Sequence, residues 1–96
     1  MNIYWTRKSK TRFQSIDSYI HSEFGKSSST KFRNKVLNFL DLLSKFPELG
    51  TVEVVDKQIY GFQISRQTRI FYRIKKDRIV LLTFFDSRQN PDKRPN

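Results

Sequence analysis

The chain has 96 residues and no cysteine, so it is long enough for one domain with a single core but offers neither disulfides nor thiolate metal sites. Residues 1–56 carry nine basic and six acidic side chains, a net +3, whereas residues 57–96 carry ten and three, a net +7. The total of +10 attracts phosphate backbones or an acidic protein partner. Four lysines on predicted helix surfaces need no ligand and are expected to be simply solvated: Lys8, Lys10, Lys31 and Lys35.

Several classes of protein find no support in the sequence. The N-terminus offers only Ile3–Trp5 before its charges begin, which is not a secretory signal, and the longest aliphatic run, Ile79–Leu82, is too short to span a bilayer. His21 is the only histidine, and no glycine-rich phosphate loop is present. We therefore expect a cytoplasmic protein that uses no membrane segment, metal ion or small-molecule cofactor.

The N-terminal half is predicted to form two amphipathic helices. Apolar residues recur at steps of three or four along residues 8–24, and Gly25 is a typical residue just past a helix end. The hydroxyls of Ser27–Thr30 are expected to cap a second helix that stops before Pro47. A short link between two such helices indicates an antiparallel helical hairpin. The two apolar stripes, which we expect in the core, are Phe13, Ile16, Ile20 and Phe24, then Phe32, Val36, Phe39, Leu40 and Leu43.

The C-terminal half is predicted to form strands, because the apolar period changes to two. The strands run from Gln58 to Ile64, from Arg69 to Ile74 and from Arg78 to about Phe85, and Asn2–Trp5 is an expected opening strand beside the last of them. Residues 51–55 fit a short strand or an extended loop equally well. The last strand is apolar on both parities, so we expect it to be central and covered on both faces. The predicted fold class is α+β, with the helical hairpin on a mainly antiparallel, four-stranded sheet.

One end of this sheet is predicted to carry a cationic pocket. If Ile70 and Tyr72 point towards the helices, Arg69 and Arg73 point to the opposite face. Because adjacent strands run antiparallel, Arg69 is also expected to lie near the segment that ends in Arg88, where two guanidinium groups could hold a phosphate. The alternative is that Arg69 and Arg73 are solvated positions, with or without pairing to Asp86. The candidate nucleic-acid-binding residues are Arg69, Arg73, Lys75 and Arg88.

Three stretches, taken in order, resemble a known family. They are the "FPELG" that follows the second helix, the strand "TRIFYRI" and the closing "RIVLLTFFDSRQNP". Their order and spacing resemble the RelE/ParE superfamily of toxins from bacterial type II toxin–antitoxin systems, over nearly the whole chain. The resemblance implies a single toxin domain across residues 1–96, with a twisted antiparallel sheet and an N-terminal helical hairpin.

The resemblance also implies a function and a site. RelE-like members cleave mRNA in the ribosomal A site, ParE-like members poison DNA gyrase, and both are neutralised by an antitoxin with an acidic segment. The arginines that line the site of the cleaving members match Arg69 and Arg88, with Tyr72 or Asp86 as assisting residues. Many cleaving members have a histidine where this chain has Asp86, and a C-terminal tyrosine or histidine that this chain lacks.

Two mechanisms stay open within the toxin interpretation, and one function outside it. RNA cleavage needs a base, an acid and cations for the charged transition state, whereas a gyrase inhibitor needs no acid–base pair. We expect Asp86 to pair with an arginine, which would lower its pKa and make it a poor base. The alternative outside the family is a small basic RNA-binding module, for which Phe71 is the best candidate for base stacking.

Overall fold

The computed structural model describes residues 1–89, which form two helices packed on one face of a five-stranded sheet. The strand order is β1-β5-β4-β3-β2, with β1 parallel to β5 and every other pair antiparallel. Neither helix is long and apolar enough to cross a membrane. The elements are β1 (Asn2–Trp5), α1 (Arg7–Phe24), α2 (Lys26–Lys45), β2 (Thr51–Val54), β3 (Ile59–Gln63), β4 (Thr68–Ile74) and β5 (Arg78–Asp86).

The predicted α+β architecture is confirmed, but the sheet has five strands where four were predicted. The additional strand is β2, within the stretch for which the sequence left strand and loop open. All four of its residues are exposed, and its pairing with β3 shifts register between Val52 and Val54. An edge strand with no buried side shows no apolar alternation, which explains why the period of two did not reveal it.

The helices are linked more tightly than predicted. Thr6 caps α1 by accepting a hydrogen bond from the Ser9 N–H at 3.1 Å, and Gly25, at φ 94°, is the single residue between the helices. The predicted cap at Ser27–Thr30 is wrong, because α2 already begins at Lys26 and these hydroxyls lie within its first turns. Glycine adopts this positive φ without strain, and so permits the abrupt reversal.

The two apolar helix stripes meet the inner face of the sheet, as predicted. Phe24 is the exception, since it is 54 % exposed at the end of α1. Burial of aliphatic and aromatic side chains between helices and sheet is the main stabilising contribution in such a domain. The buried core consists of Ile16, Ile20, Phe32, Val36, Phe39, Leu40, Leu43, Tyr60, Ile70, Tyr72, Ile79, Leu81 and Phe84.

The helices leave the other face of the sheet uncovered, and we call this the outer face. In β4 the buried Thr68, Ile70 and Tyr72 alternate with half-buried residues, so Arg69 and Phe71 lie on the outer face as predicted. Strand β5 is central between β1 and β4. The prediction that both of its faces are covered is wrong near its end, where Phe85 on the outer face is 40 % exposed.

Candidate functional site

Arg69 lies on the outer face and is already partnered. Its guanidinium forms an ion pair with Glu53 of β2, donates a hydrogen bond of 3.3 Å to Gln63 and lies 5.6 Å from the centre of the Phe71 ring. The outer face of β3 is open at Gly61, where an added Cβ would lie 2.6 Å from the Arg69 Nη2. Gly61 therefore leaves the space in which the arginine crosses β3 to reach Glu53.

Asp86 is a buried carboxylate with a full set of donors. It accepts hydrogen bonds from the Thr68 hydroxyl at 2.6 Å, from the Arg88 backbone N–H at 2.9 Å, and from the Arg88 Nε and Nη2 at 3.0 and 2.8 Å. Burial opposes ionisation, but the hydrogen bonds from Arg88 and Thr68 outweigh it and hold the pKa of Asp86 below its usual value. The predicted ion pair of Asp86 with an arginine is confirmed, and its partner is Arg88.

Arg88 lies on the helix side of the sheet. Its guanidinium is 5.8 Å from the centre of the Phe24 ring of α1, and it lines a small pocket together with Lys31 and Lys35 of α2. The hydrogen bonds to Asp86 raise the pKa of Arg88, so this side chain stays charged. Within the described chain, the Arg88 guanidinium is therefore paired with Asp86 on one side, and its other side is open to the pocket.

Arg69 and Arg88 therefore do not form one cationic pocket, and that prediction is wrong. Their chain segments are neighbours, since Thr68 is paired with Asp86 and Arg69 with Phe85. However, Thr68 and Asp86 both point into the buried side, whereas Arg69 and Phe85 point to the outer face. The Arg88 side chain folds back onto the Asp86 carboxylate and therefore lies on the same side of the sheet as the helices.

Tyr72 connects the sheet to the "FPELG" segment. Its ring is fully buried and stacks on Tyr60, with 5.5 Å between the ring centres. Its hydroxyl donates to the Pro47 carbonyl at 3.0 Å and accepts from the Gly50 N–H at 2.8 Å. Burial raises the pKa of Tyr72, and the bond from Gly50 offsets only part of this effect. The hydroxyl has a structural partner on each side.

The remaining predicted cations lie apart from both arginines. Arg73 is paired in register with Val80 and Ile59, and Lys75 lies in the turn where its N–H donates to the Arg78 carbonyl. Neither side chain has an ion pair or hydrogen bond among residues 1–89. No cluster of three or more potential metal ligands occurs in that part of the chain either.

Sequence reasoning missed two features of the outer face. Glu53 holds Arg69, but it lies on the strand whose existence the sequence left open. Arg78 covers the ring of Tyr4, 5.5 Å from its centre, a contact made by the parallel pairing of β1 with β5. Neither contact has a local signal, because both join segments that are distant along the chain.

Solved structures of bacterial toxins share this fold. The chain aligns with the chromosomal ParDE toxin–antitoxin system from P. aeruginosa at a TM-score of 0.74 and 19 % identity, covering 90 % of this chain and 95 % of the other. The YoeB/ParE toxin from Agrobacterium tumefaciens gives 0.63 and 13 %, covering 90 % and 98 %. The YoeB dimer from Staphylococcus aureus gives 0.61 and 14 %, covering 88 % and 94 %. At such identities these likenesses establish the fold alone.

The sequence itself matches a family. No curated protein sequence matches this chain. Residues 3–91 do match the family described as the ParE toxin of the type II toxin–antitoxin system, parDE. That match includes both helices and every residue of the five strands except Asn2. The chain therefore belongs to the ParE toxin family, within the RelE/ParE superfamily that its sequence resembles.

Proposed function

We propose that this toxin inhibits growth by binding DNA gyrase and not by cleaving mRNA. One observation carries the proposal: the two candidate proton-transfer groups, Asp86 and Tyr72, are both buried in structural contacts. The Asp86 carboxylate is 0 % exposed and is held by Arg88 and Thr68. The Tyr72 hydroxyl joins Pro47 to Gly50. A substrate cannot reach either group without opening the fold.

The pKa shifts of these two groups work against acid–base catalysis. A general base should have a pKa near the working pH, but hydrogen bonds to Arg88 keep the pKa of Asp86 below its usual range. A general acid must release its proton readily, yet burial raises the pKa of Tyr72. The cations that would stabilise a charged transition state are also divided, with Arg69 and Arg88 on opposite faces.

The family match points the same way. The matching family is that of ParE toxins, and the ParE-like branch is the one for which the sequence resemblance implies gyrase as the target. An inhibitor of this kind needs a complementary surface and no proton transfer. Membership of a toxin–antitoxin family also implies a cognate antitoxin, and the charge of +10 favours an acidic one.

The proposal is tested by comparing two readouts after induction of the toxin. We expect growth arrest, accumulation of gyrase-dependent DNA breaks, and no new transcript 5′ ends. We also expect the purified toxin to inhibit supercoiling by purified gyrase. New transcript ends that require ribosomes, with intact DNA, would contradict the proposal. Normal growth at a confirmed level of folded protein would contradict a toxic function altogether.

Tyr72→Phe separates the two mechanisms further. The variant keeps the ring and its packing but removes the hydroxyl, so a cleaving enzyme that used this group would lose activity. For a gyrase inhibitor, toxicity should persist as long as the variant is folded, which circular dichroism can verify. Arg69→Ala combined with Arg88→Ala should abolish RNA cleavage by an enzyme that used these cations, and circular dichroism can verify that this variant is folded too. Unchanged toxicity of this double variant would exclude both arginines from the mechanism.

RNA binding without cleavage is a second candidate, favoured by the outer face. Two exposed or half-buried aromatic rings there, Phe71 and Tyr4, each lie beneath a guanidinium, that of Arg69 or Arg78. Aromatic rings beside cations suit single-stranded nucleic acid. The measurement is fluorescence anisotropy with a labelled single-stranded RNA at two salt concentrations. Affinity that is unchanged in Phe71→Ala would remove this candidate.

A further inference from the structure

A small pocket opens between α2, the turn that joins β3 to β4, and the end of β5. Its volume of about 160 Å³ is close to that of a cavity of about 150 Å³ that binds a benzene ring. The pocket is therefore large enough for one apolar side chain of a partner. Its apolar floor consists of Ile20, Phe32 and Ile64, and its cationic rim of Lys31, Lys35 and Arg88.

In the described part of the chain, two of the three cations in the rim of this pocket, Lys31 and Lys35, carry uncompensated positive charge, whereas Arg88 is paired with Asp86. No acidic side chain lines the pocket, and no ion pair within residues 1–89 includes Lys31 or Lys35. These lysines lie one helical turn apart on α2, an arrangement in which like charges repel. Both lysines are exposed, as expected from the sequence, and an acidic partner would relieve their repulsion.

The third cation of the rim is held in position before any partner binds. Asp86 fixes the Nε and Nη2 of Arg88, and the Phe24 ring lies beside the guanidinium. The Nη1 of Arg88 takes no part in any hydrogen bond among residues 1–89. A side chain that is already ordered loses little entropy on binding, which favours recognition.

We propose that this pocket is a docking site for the antitoxin, and that it receives an apolar side chain flanked by carboxylates. The apolar floor favours burial of a hydrocarbon group, and the two lysines of the rim, unpaired within residues 1–89, favour acidic neighbours on the same segment, to which the Nη1 of Arg88 can donate a hydrogen bond. A phosphate group alone would leave Ile20, Phe32 and Ile64 without a partner. The inference rests on membership of the toxin–antitoxin family and is independent of whether the toxin's target is gyrase.

The charge of the rim is tested with two matched double variants. Lys31→Glu with Lys35→Glu reverses the rim, whereas Lys8→Glu with Lys10→Glu makes the same change of net charge on exposed positions of α1 outside the pocket. The probe is the purified protein encoded beside the toxin gene, and the measurement is isothermal titration calorimetry. We expect the rim variant to lose about tenfold or more in affinity and the control variant to lose far less.

The apolar floor is tested by filling the pocket. Ser28 lines the pocket, whereas its exposed neighbour Ser27 does not, so Ser28→Trp and Ser27→Trp form a matched pair. We expect Ser28→Trp to weaken binding of the antitoxin and Ser27→Trp to leave it unchanged. Both positions are on the surface of α2, and thermal unfolding will verify that all four variants are folded.

Three outcomes overturn the proposal. Equal losses in rim and control variants would mean that only the overall charge of the toxin matters. Unchanged affinity in Ser28→Trp would mean that no side chain enters the pocket. Loss of gyrase inhibition with intact antitoxin binding would assign the pocket to the target instead. Supercoiling assays on the unaltered toxin test the gyrase proposal separately, so either idea can fail while the other stands.

Discussion

Arg69 and Arg88 have the same chemistry and neighbouring backbones, yet the fold uses them differently. Each forms an ion pair with one carboxylate, and the two arginine side chains are 29 % and 27 % exposed. The difference is in the carboxylates, since Glu53 is 35 % exposed whereas Asp86 is 0 % exposed. The ion pairs on the two faces of the sheet therefore differ in the burial of the acid and not in the burial of the arginine.

Because of this difference in burial, the pair of Asp86 with Arg88 stabilises the fold, whereas the pair of Glu53 with Arg69 is a surface ion pair. A buried carboxylate that loses its cation is left without solvation. Opening the ion pair of Asp86 with Arg88, which we call the inner pair, therefore has a high free-energy cost. An exposed carboxylate that loses its cation is hydrated instead, and such pairs contribute little. Arg69 is therefore free to exchange Glu53 for a ligand, whereas Arg88 keeps Asp86 and offers only its open side.

The largest expected effect tests this contrast directly. Asp86→Ala should lower the free energy of unfolding by about 3 kcal/mol or more, because the Thr68 hydroxyl and the Arg88 backbone N–H both lose their buried acceptor. Glu53→Ala, the matched change on the outer face, should cost less than about 1 kcal/mol. Urea denaturation of both variants measures the difference. Equal losses would show that the two ion pairs are energetically alike, against the burial argument.

Two glycines, one beside Tyr72 and one beside the ion pair on the outer face, extend the comparison from charge to packing. A Cβ on Gly50 would lie 2.7 Å from the Gly61 carbonyl oxygen and 2.7 Å from the Tyr72 hydroxyl, and the backbone oxygen cannot swing aside. Gly50→Ala should therefore cost up to about 3 kcal/mol through overpacking. In Gly61→Ala the closest atoms are the mobile ends of Arg69 and Glu53, so we expect a clearly smaller loss. Thermal unfolding of the two variants would contradict this if the order were reversed.

Tyr72→Phe should give the next smaller effect. The change leaves the Gly50 N–H without its acceptor, at an expected cost of about 2 kcal/mol. Tyr60→Phe is the control, because the Tyr60 ring is stacked on Tyr72 but its hydroxyl makes no hydrogen bond within the described chain. Chemical denaturation should show little change for the control. A similar loss in both variants would mean that ring packing, and not the hydroxyl, is what matters.

Periodicity was sufficient to predict most of the architecture. Apolar steps of three and four located both helices, and alternation located β3 and β4 with the correct side towards the core. These patterns are local, since a helix or a half-buried strand shows its buried side within a few residues. Strand β2 was left open because it has no buried side to show.

The candidate site was harder to predict because it depends on register across strands. The pairing of Asp86 with an arginine was predicted, but the sequence did not decide which arginine, and the observed partner is the nearby Arg88. The direction of Arg88 depends on Asp86 lying opposite the buried Thr68, which no local pattern reveals. A one-residue difference in register would have placed Arg88 on the outer face with Arg69.

Acid should produce the smallest effect, and we expect it to act through the Asp86 carboxylate. The pKa of Asp86 is lower in the folded chain than its ordinary value of 3.8, so its contribution to stability is fully present above that value. The contribution should be lost as the pH falls through the lower, folded pKa. Protonation leaves both carboxyl oxygens in place, so the loss should be smaller than in Asp86→Ala. Urea denaturation from pH 6 down to pH 2, with Asp86→Asn as the reference, measures it as the difference between the two curves. A constant difference over this range would contradict the lowered pKa of Asp86 in the folded chain.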